Sequence, residues 1–148
     1  MTIIGISIEL QQDDDFRLYD VLKPVFNPSW VWHFSGGENY LKSRTENPWD
    51  LTPFLTDNRI YDGPEFIELI NTPRQYIIFA DLKAFPTKET VEDVYTYDEF
   101  LSSACQLAAI VVDGAYVMLI AKDVSTLTNN IKGPYQYVYR EDLTHLSI

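Results

Sequence analysis

The sequence predicts an α+β fold: a mostly antiparallel or mixed sheet with a central hairpin over residues 107–121 and helices packed on the sheet. Three observations carry this. An Asp-Gly pair, the chemistry of a tight hairpin, joins two apolar, β-rich runs. Segments of helical spacing begin or end on capping and proline signals. Hairpins also outnumber clean βαβ units in the predicted order β-α-β-β-loop-α-β-α-β-β-α-β.

The first strand runs from Ile3 to Leu10, with Ile4, Ile6, Ile8 and Leu10 alternating against Gly5, Ser7 and Glu9. Asp13, Asp14 and Asp15 follow, suited to the positive end of a helix that carries Leu18, Val21, Leu22 and Val25. Pro24 ends or kinks that helix. Trp30 to Phe34 is a strand, with Trp30, Trp32 and Phe34 on its core face and Val31 and His33 opposite. Ser35-Gly36-Gly37 is a turn, and Asn39-Tyr40-Leu41 a short return strand. Residues 42–63, with Pro48 and Pro53, read as a loop; a loop that long is functional or holds further structure.

Asp62-Gly63-Pro64 opens a helix with Phe66, Ile67 and Ile70 facing inward, and Pro73 stops it. Gln75 to Leu82 is a strand, and the unbroken apolar run Tyr76 to Ala80 predicts that both its faces are covered. Thr96 and Glu99 form a capping box for a helix with Tyr97, Phe100, Leu101 and Ala104 on one stripe. A two-residue type I′ turn at Asp113-Gly114 then pairs Val112 with Ala115, Ala109 with Met118 and Ala108 with Leu119. Both hairpin strands are apolar on both faces, which places them centrally with a helix on at least one side; the small Ala108 and Ala109 admit it closely. Asp123 or Ser125 caps the next helix, Val124, Leu127 and Ile131 form its buried stripe, and Gly133-Pro134 closes it. Tyr135 to Arg140 is the last strand, followed by a short helix from Glu141 to Leu146.

The 148 residues fit one globular domain, 1–148. Acids outnumber bases 22 to 11, and the formal charge of −11 is spread along the chain. Phosphate binding needs clustered Lys and Arg, which are absent, so nucleic acid and anionic membranes are disfavoured and a basic protein partner is suited. The single cysteine forms no internal disulfide, and the start of the chain lacks a basic, apolar leader; both suit the cytoplasm. The apolar stretch near 107–121 is broken by its turn and is no membrane span.

The runs Ile78-Phe79-Ala80-Asp81-Leu82-Lys83-Ala84-Phe85-Pro86 and Tyr97-Asp98-Glu99-Phe100-Leu101 are distinctive, as is Cys105-Gln106-Leu107 leading into Val111-Val112-Asp113. Together they resemble a family of small uncharacterised bacterial proteins, a domain of unknown function. The resemblance covers the second half of the chain and, more weakly, the first strand. It implies a bacterial cytosolic setting and brings no activity, ligand or catalytic residue.

Chemistry-bearing residues are sparse. His33, His145 and Cys105 are too few for a four-ligand zinc site, and Asp13-Asp14-Asp15 lacks the spacing and glycine of a calcium loop. Cys105 at a helix C-terminus has the wrong electrostatics for a nucleophile and reads as a small buried hydrophobe. No metal or cofactor is expected. The working expectation is a non-enzymatic cytosolic protein-interaction module, in one version an immunity-type protein masking a basic toxin. Its nominated surface is the alternating row Tyr135, Tyr137 and Tyr139. The rival is a small-ligand binder or enzyme with its site near His33, Glu38 and Asp81, between the 36–63 region and the sheet. A homodimer that buries a sheet edge or the tyrosine row is a third expectation.

Overall fold

A computed structural model describes residues 1–42, 50–143 and 145–146. Among them, eight strands form one sheet, and every ladder is antiparallel. The elements are β1 (Ile3–Glu9), α1 (Leu18–Leu22), β2 (Val31–Lys42), β3 (Leu51–Thr52), β4 (Arg59–Asp62), α2 (Gly63–Ile70), β5 (Gln75–Phe85), α3 (Tyr97–Ser102), β6 (Leu107–Val112), β7 (Tyr116–Ala121), α4 (Val124–Asn130) and β8 (Gln136–Tyr139). The sheet order is β3-β2-β5-β6-β7-β1-β8, with β4 also on β2. The 107–121 hairpin is therefore central, as its two apolar faces require, and Leu107 through Val111 are buried throughout.

The hairpin register is one residue away from the expected one. Ala108 pairs with Ile120 and Ala109 with Leu119, while Val112 faces Tyr116. Asp113 and Gly114 do take left-handed φ values of 54° and 65°, and the Ala115 N–H donates to the Val112 carbonyl at 3.0 Å. Ala115 belongs to the turn as a third loop residue, and that extra residue shifts the pairing.

Two packed layers sandwich the sheet. On one face Ile6, Trp32, Phe34, Leu82, Ala109 and Leu119 pack with Leu18 and Leu22 of α1, Phe66 and Ile70 of α2 and Leu127 of α4. Trp32 lies nearly parallel to Phe66 at 4.7 Å between ring centroids, and its buried Nε1–H has no hydrogen-bond partner among the described residues. On the other face Ile4, Phe85, Ala108 and Ile120 pack with Phe100 of α3, Val94, Cys105 and Leu146. A register shift between Ile3 and Gly5 puts Ile4 in this second layer and Ile6 in the first, so the four alternating aliphatics of β1 do not share one face.

Several helix signals act as read. The Asp62 carboxylate accepts from Glu65 N–H at 2.8 Å at the start of α2, with Phe66 and Ile70 fully buried. Asp123 caps α4, accepting from Ser125 N–H at 3.1 Å. Pro24 turns the end of α1 into a 3₁₀ turn over Lys23–Val25. At α3 the Thr96 hydroxyl accepts from Glu99 N–H at 3.1 Å, but the Glu99 carboxylate takes the Thr96 hydroxyl at 3.1 Å and not its backbone N–H, so half of the capping box forms. Leu101 is 44% exposed, outside the stripe assigned to it.

Other expectations are corrected. Asp13–Asp15 form their own turn, with Asp15 N–H bound to Asp13 Oδ1 at 2.9 Å. The start of α1 is capped from afar instead: buried Gln75 accepts the Leu18 N–H at 2.9 Å and donates to the Thr72 carbonyl at 2.7 Å, tying α1 to the end of α2. In β5 the stretch covered on both faces is Ala80 to Phe85, whereas Tyr76 is 37% exposed. Arg140–Asp142 form a 3₁₀ turn in place of the expected C-terminal helix, and His145 then bridges Thr96 as extended chain. Pro48, part of the expected loop, lies outside the described residues. No helix among the described residues is long and apolar enough to cross a membrane.

A candidate acidic cleft

The largest correction creates the site. Ser35-Gly36-Gly37 is not a turn: β2 runs unbroken from Val31 to Lys42 along β5, with register shifts at Phe34/Gly36 and Glu38/Asn39. Gly36 and Gly37 take φ of 157° and 151°, a region that side chains avoid. Gly37 has a second constraint, since a Cβ there would sit 2.1 Å from the Phe79 carbonyl oxygen. The glycines let β2 bend sharply without leaving the sheet.

On its outer edge β2 pairs with β4 at Val31–Phe34 and with β3 at Leu41–Lys42. The bend between is held by side chains. Buried Asn39 accepts from Phe54 N–H at 3.1 Å and Leu55 N–H at 2.7 Å, and donates to the Leu55 carbonyl at 3.2 Å. The Tyr61 hydroxyl oxygen accepts from Thr56 N–H at 2.8 Å. So the region expected to be loop contains two short strands and a segment clamped by Asn39, which brings Asp57 and Asn58 beside the glycines.

Here lies an open cleft of about 690 Å³ lined by Ser35, Gly36, Gly37, Glu38, Asn58, Phe79, Asp81, Asp93 and Tyr95. A smaller cavity of about 300 Å³ shares Gly37 and Glu38 and adds Asp57. Among the described residues, neither lining contains a Lys, Arg or His. The field inside is negative, and Tyr95 registers it: its phenol is pushed above the ordinary range, first by the charge of Asp93, then by burial and a hydrogen bond to Asp93. Asp81 is 5% exposed, and its Oδ1 accepts from Lys83 Nζ at 2.5 Å; Lys83 is itself 3% exposed. A buried pair of this kind costs several kcal/mol of desolvation per ion, which the mutual attraction offsets, and it holds Asp81 fixed in the cleft wall.

Of the nominated trio, Glu38 and Asp81 meet in this cleft. His33 stands behind it, buried, with Nε2 3.1 Å from Asn58 Oδ1. Asp93, Tyr95 and Asn58 were not foreseen. Their segments are irregular, and only the tertiary fold brings them to β2 and β5.

The tyrosine row lies elsewhere. Tyr135, Tyr137 and Tyr139 stack edge to face, at 5.8 and 6.5 Å between successive centroids, and Tyr137 is 47% exposed. Among the described residues β8 bonds only to β1, so this row flanks a sheet edge. Trp32 and Phe34, by contrast, are fully buried and Trp30 partly so, as expected of a core row. Cys105 is buried, and desolvation pushes its thiol up to about 12. Among the described residues no cluster of three or more His, Cys, Asp or Glu is placed to hold a metal ion.

The sequence matches, over residues 3–145, the family described as Protein of unknown function (DUF2691). It is also similar to the uncharacterized protein YncE of Bacillus subtilis (strain 168), 33% identical over 119 residues that cover 80% of this chain and 76% of that protein. No solved structure matches.

Proposed function

We propose that this chain, which belongs to the family of proteins of unknown function DUF2691, is a non-catalytic binding module whose acidic cleft receives a basic group of a partner protein. The observation that carries the reading is the convergence of Glu38, Asp81 and Asp93 on one open cleft with no lining base among the described residues. Phe79 and Tyr95 add aromatic surface, which attracts a cation as well as covering its alkyl stem. The net charge of −11 raises the encounter rate with a basic partner further. The reading without catalysis is supported by the protonated, buried state of Cys105 and by the amide contact that occupies His33. An immunity-type role is one form of it, supported by charge and size, with a cytoplasmic setting.

Calorimetric titration with a tetra-arginine peptide tests the reading. The control is a variant of equal charge, Asp20→Asn with Glu68→Gln, both exposed and away from the cleft. Glu38→Gln with Asp93→Asn should weaken binding at least tenfold and the control less than twofold. Equal losses in the two variants would show attraction to the whole molecule and remove the cleft from consideration.

A second surface is the β8 edge with its tyrosine ladder. An unpaired strand edge favours strand addition, including pairing with a second copy. Light scattering at high concentration reads that directly; a monomer at every concentration excludes it.

A further inference from the structure

We propose that the His145–Leu146 segment is a strap latched through Asp81, so that a cation bound in the cleft loosens it. The proposal rests on the cleft reading above and adds a regulated element to it. Lys83 Nζ donates to Asp81 Oδ1 at 2.5 Å and to the Leu146 carbonyl oxygen at 2.6 Å. One ammonium thus joins a carboxylate of the cleft wall to the strap. The Leu146 side chain is fully buried with Phe100, Cys105 and Val94. The strap is tied to the cleft wall a second time: Leu146 N–H donates to the Tyr95 carbonyl at 2.8 Å, and His145 bridges Thr96. Asp93 and Tyr95, on that same stretch, line the cleft.

The sign of the coupling follows from charge. Among the described residues, Lys83 is held in an apolar layer by one carboxylate and one carbonyl. A guanidinium that engages Asp81 competes for the same carboxylate and sets a second cation near Lys83. The ammonium's attraction to Asp81 falls while its desolvation cost stays. Lifting the strap readmits water to Nζ and relieves that cost. Ligand therefore favours the loosened strap, and by linkage a loosened strap raises ligand affinity.

Amide hydrogen exchange at Leu146 reads the strap, with Ile110 and Leu119 in the central strands as reporters of global opening. Without ligand, Asp81→Asn, which orphans Lys83, and Asp81→Asn/Lys83→Met, which also removes the strap's bond to Nζ, should each speed Leu146 exchange at least tenfold over wild type. Ile110 and Leu119 should change less than threefold. A wild-type Leu146 rate in either variant, or equal acceleration at all three amides, would overturn the latch. With saturating tetra-arginine peptide, wild-type Leu146 should exchange at least fivefold faster and the double variant at an unchanged rate. Unchanged or slowed exchange in saturated wild type overturns the coupling. A peptide that does not bind overturns the cleft reading and the ligand-driven coupling together, while the ligand-free pair of variants still decides the latch on its own.

Discussion

Replacing Gly36 and Gly37 separately by Ala distinguishes two costs that occur together in the floor of the cleft. Both residues sit at φ values that an L side chain rarely adopts, 157° and 151°. That backbone strain costs on the order of 1–3 kcal/mol in either variant. The gain from a less flexible unfolded chain is common to both and cancels in the comparison. Space separates them. Among the described residues, a Cβ at Gly36 meets nothing nearer than Asp57 Oδ1 at 3.8 Å. A Cβ at Gly37 meets the Phe79 carbonyl oxygen at 2.1 Å and the Phe79 carbonyl carbon at 2.7 Å, both backbone atoms that no side-chain rotation can move. The β2–β5 ladder must open by about 1 Å where Gly37 faces Ala80 and Glu38 faces Phe79. Two weakened ladder bonds at about 1 kcal/mol each give roughly 2 kcal/mol beyond the shared strain. For a chain of this size the gap corresponds to roughly 4–8 °C in Tm. Urea titrations of both variants beside wild type, followed by far-UV circular dichroism, measure it. If Gly37→Ala is no less stable than Gly36→Ala, the close approach of β2 to β5 is not a real constraint and the account of the bend fails.

Further outcomes follow from other parts of the fold. Asp62→Ala removes the α2 cap and should cost about 1 kcal/mol, read from the urea midpoint. Leu127→Ala empties the fully buried contact of α4 and should cost about 2–5 kcal/mol, read the same way. Cys105 has a folded-state thiol raised from 9.0 to about 12, so its stabilising contribution is complete below pH 9 and is lost as pH climbs toward 12. Wild type should therefore lose up to about 1.4 kcal/mol per pH unit above pH 9 relative to Cys105→Ala, and parallel pH profiles would contradict this. Asp93→Asn removes the largest cause of the raised Tyr95 phenol, so Tyr95 should ionise at lower pH, seen as the change in the 295 nm titration between variant and wild type.

What could be read from sequence was local chemistry. The Asp62 cap, the Asp123 cap, the left-handed Asp113-Gly114 corner and the apolar runs of β5, β6 and β7 each announce themselves within a few residues. What could not be read is settled at a distance. Gly36-Gly37 has turn composition, yet the ladder to β5 continues through it, because two glycines permit a bend as readily as a reversal. β3 and β4 are short strands whose partner is β2, and alone they carry too little pattern to stand out from their prolines and polar residues. Gln75 looked like the first residue of a strand and is also the cap of a helix many residues earlier. In the cleft, Glu38 and Asp81 were nominated and do meet, since they sit on adjoining strands. Asp93 and Tyr95 precede α3 without regular structure, and no spacing rule points from them to β2.

The position of β1 bears on how this molecule is made. Gly5 pairs with Ile120 on one side and Val138 on the other. The neighbours of β1 thus leave the ribosome only after about 115 further residues have been added, a wait of roughly 6–23 s at ordinary rates of translation. Throughout that wait the nascent chain carries Ile4, Ile6 and Ile8 without either of the strands that cover them in the finished sheet.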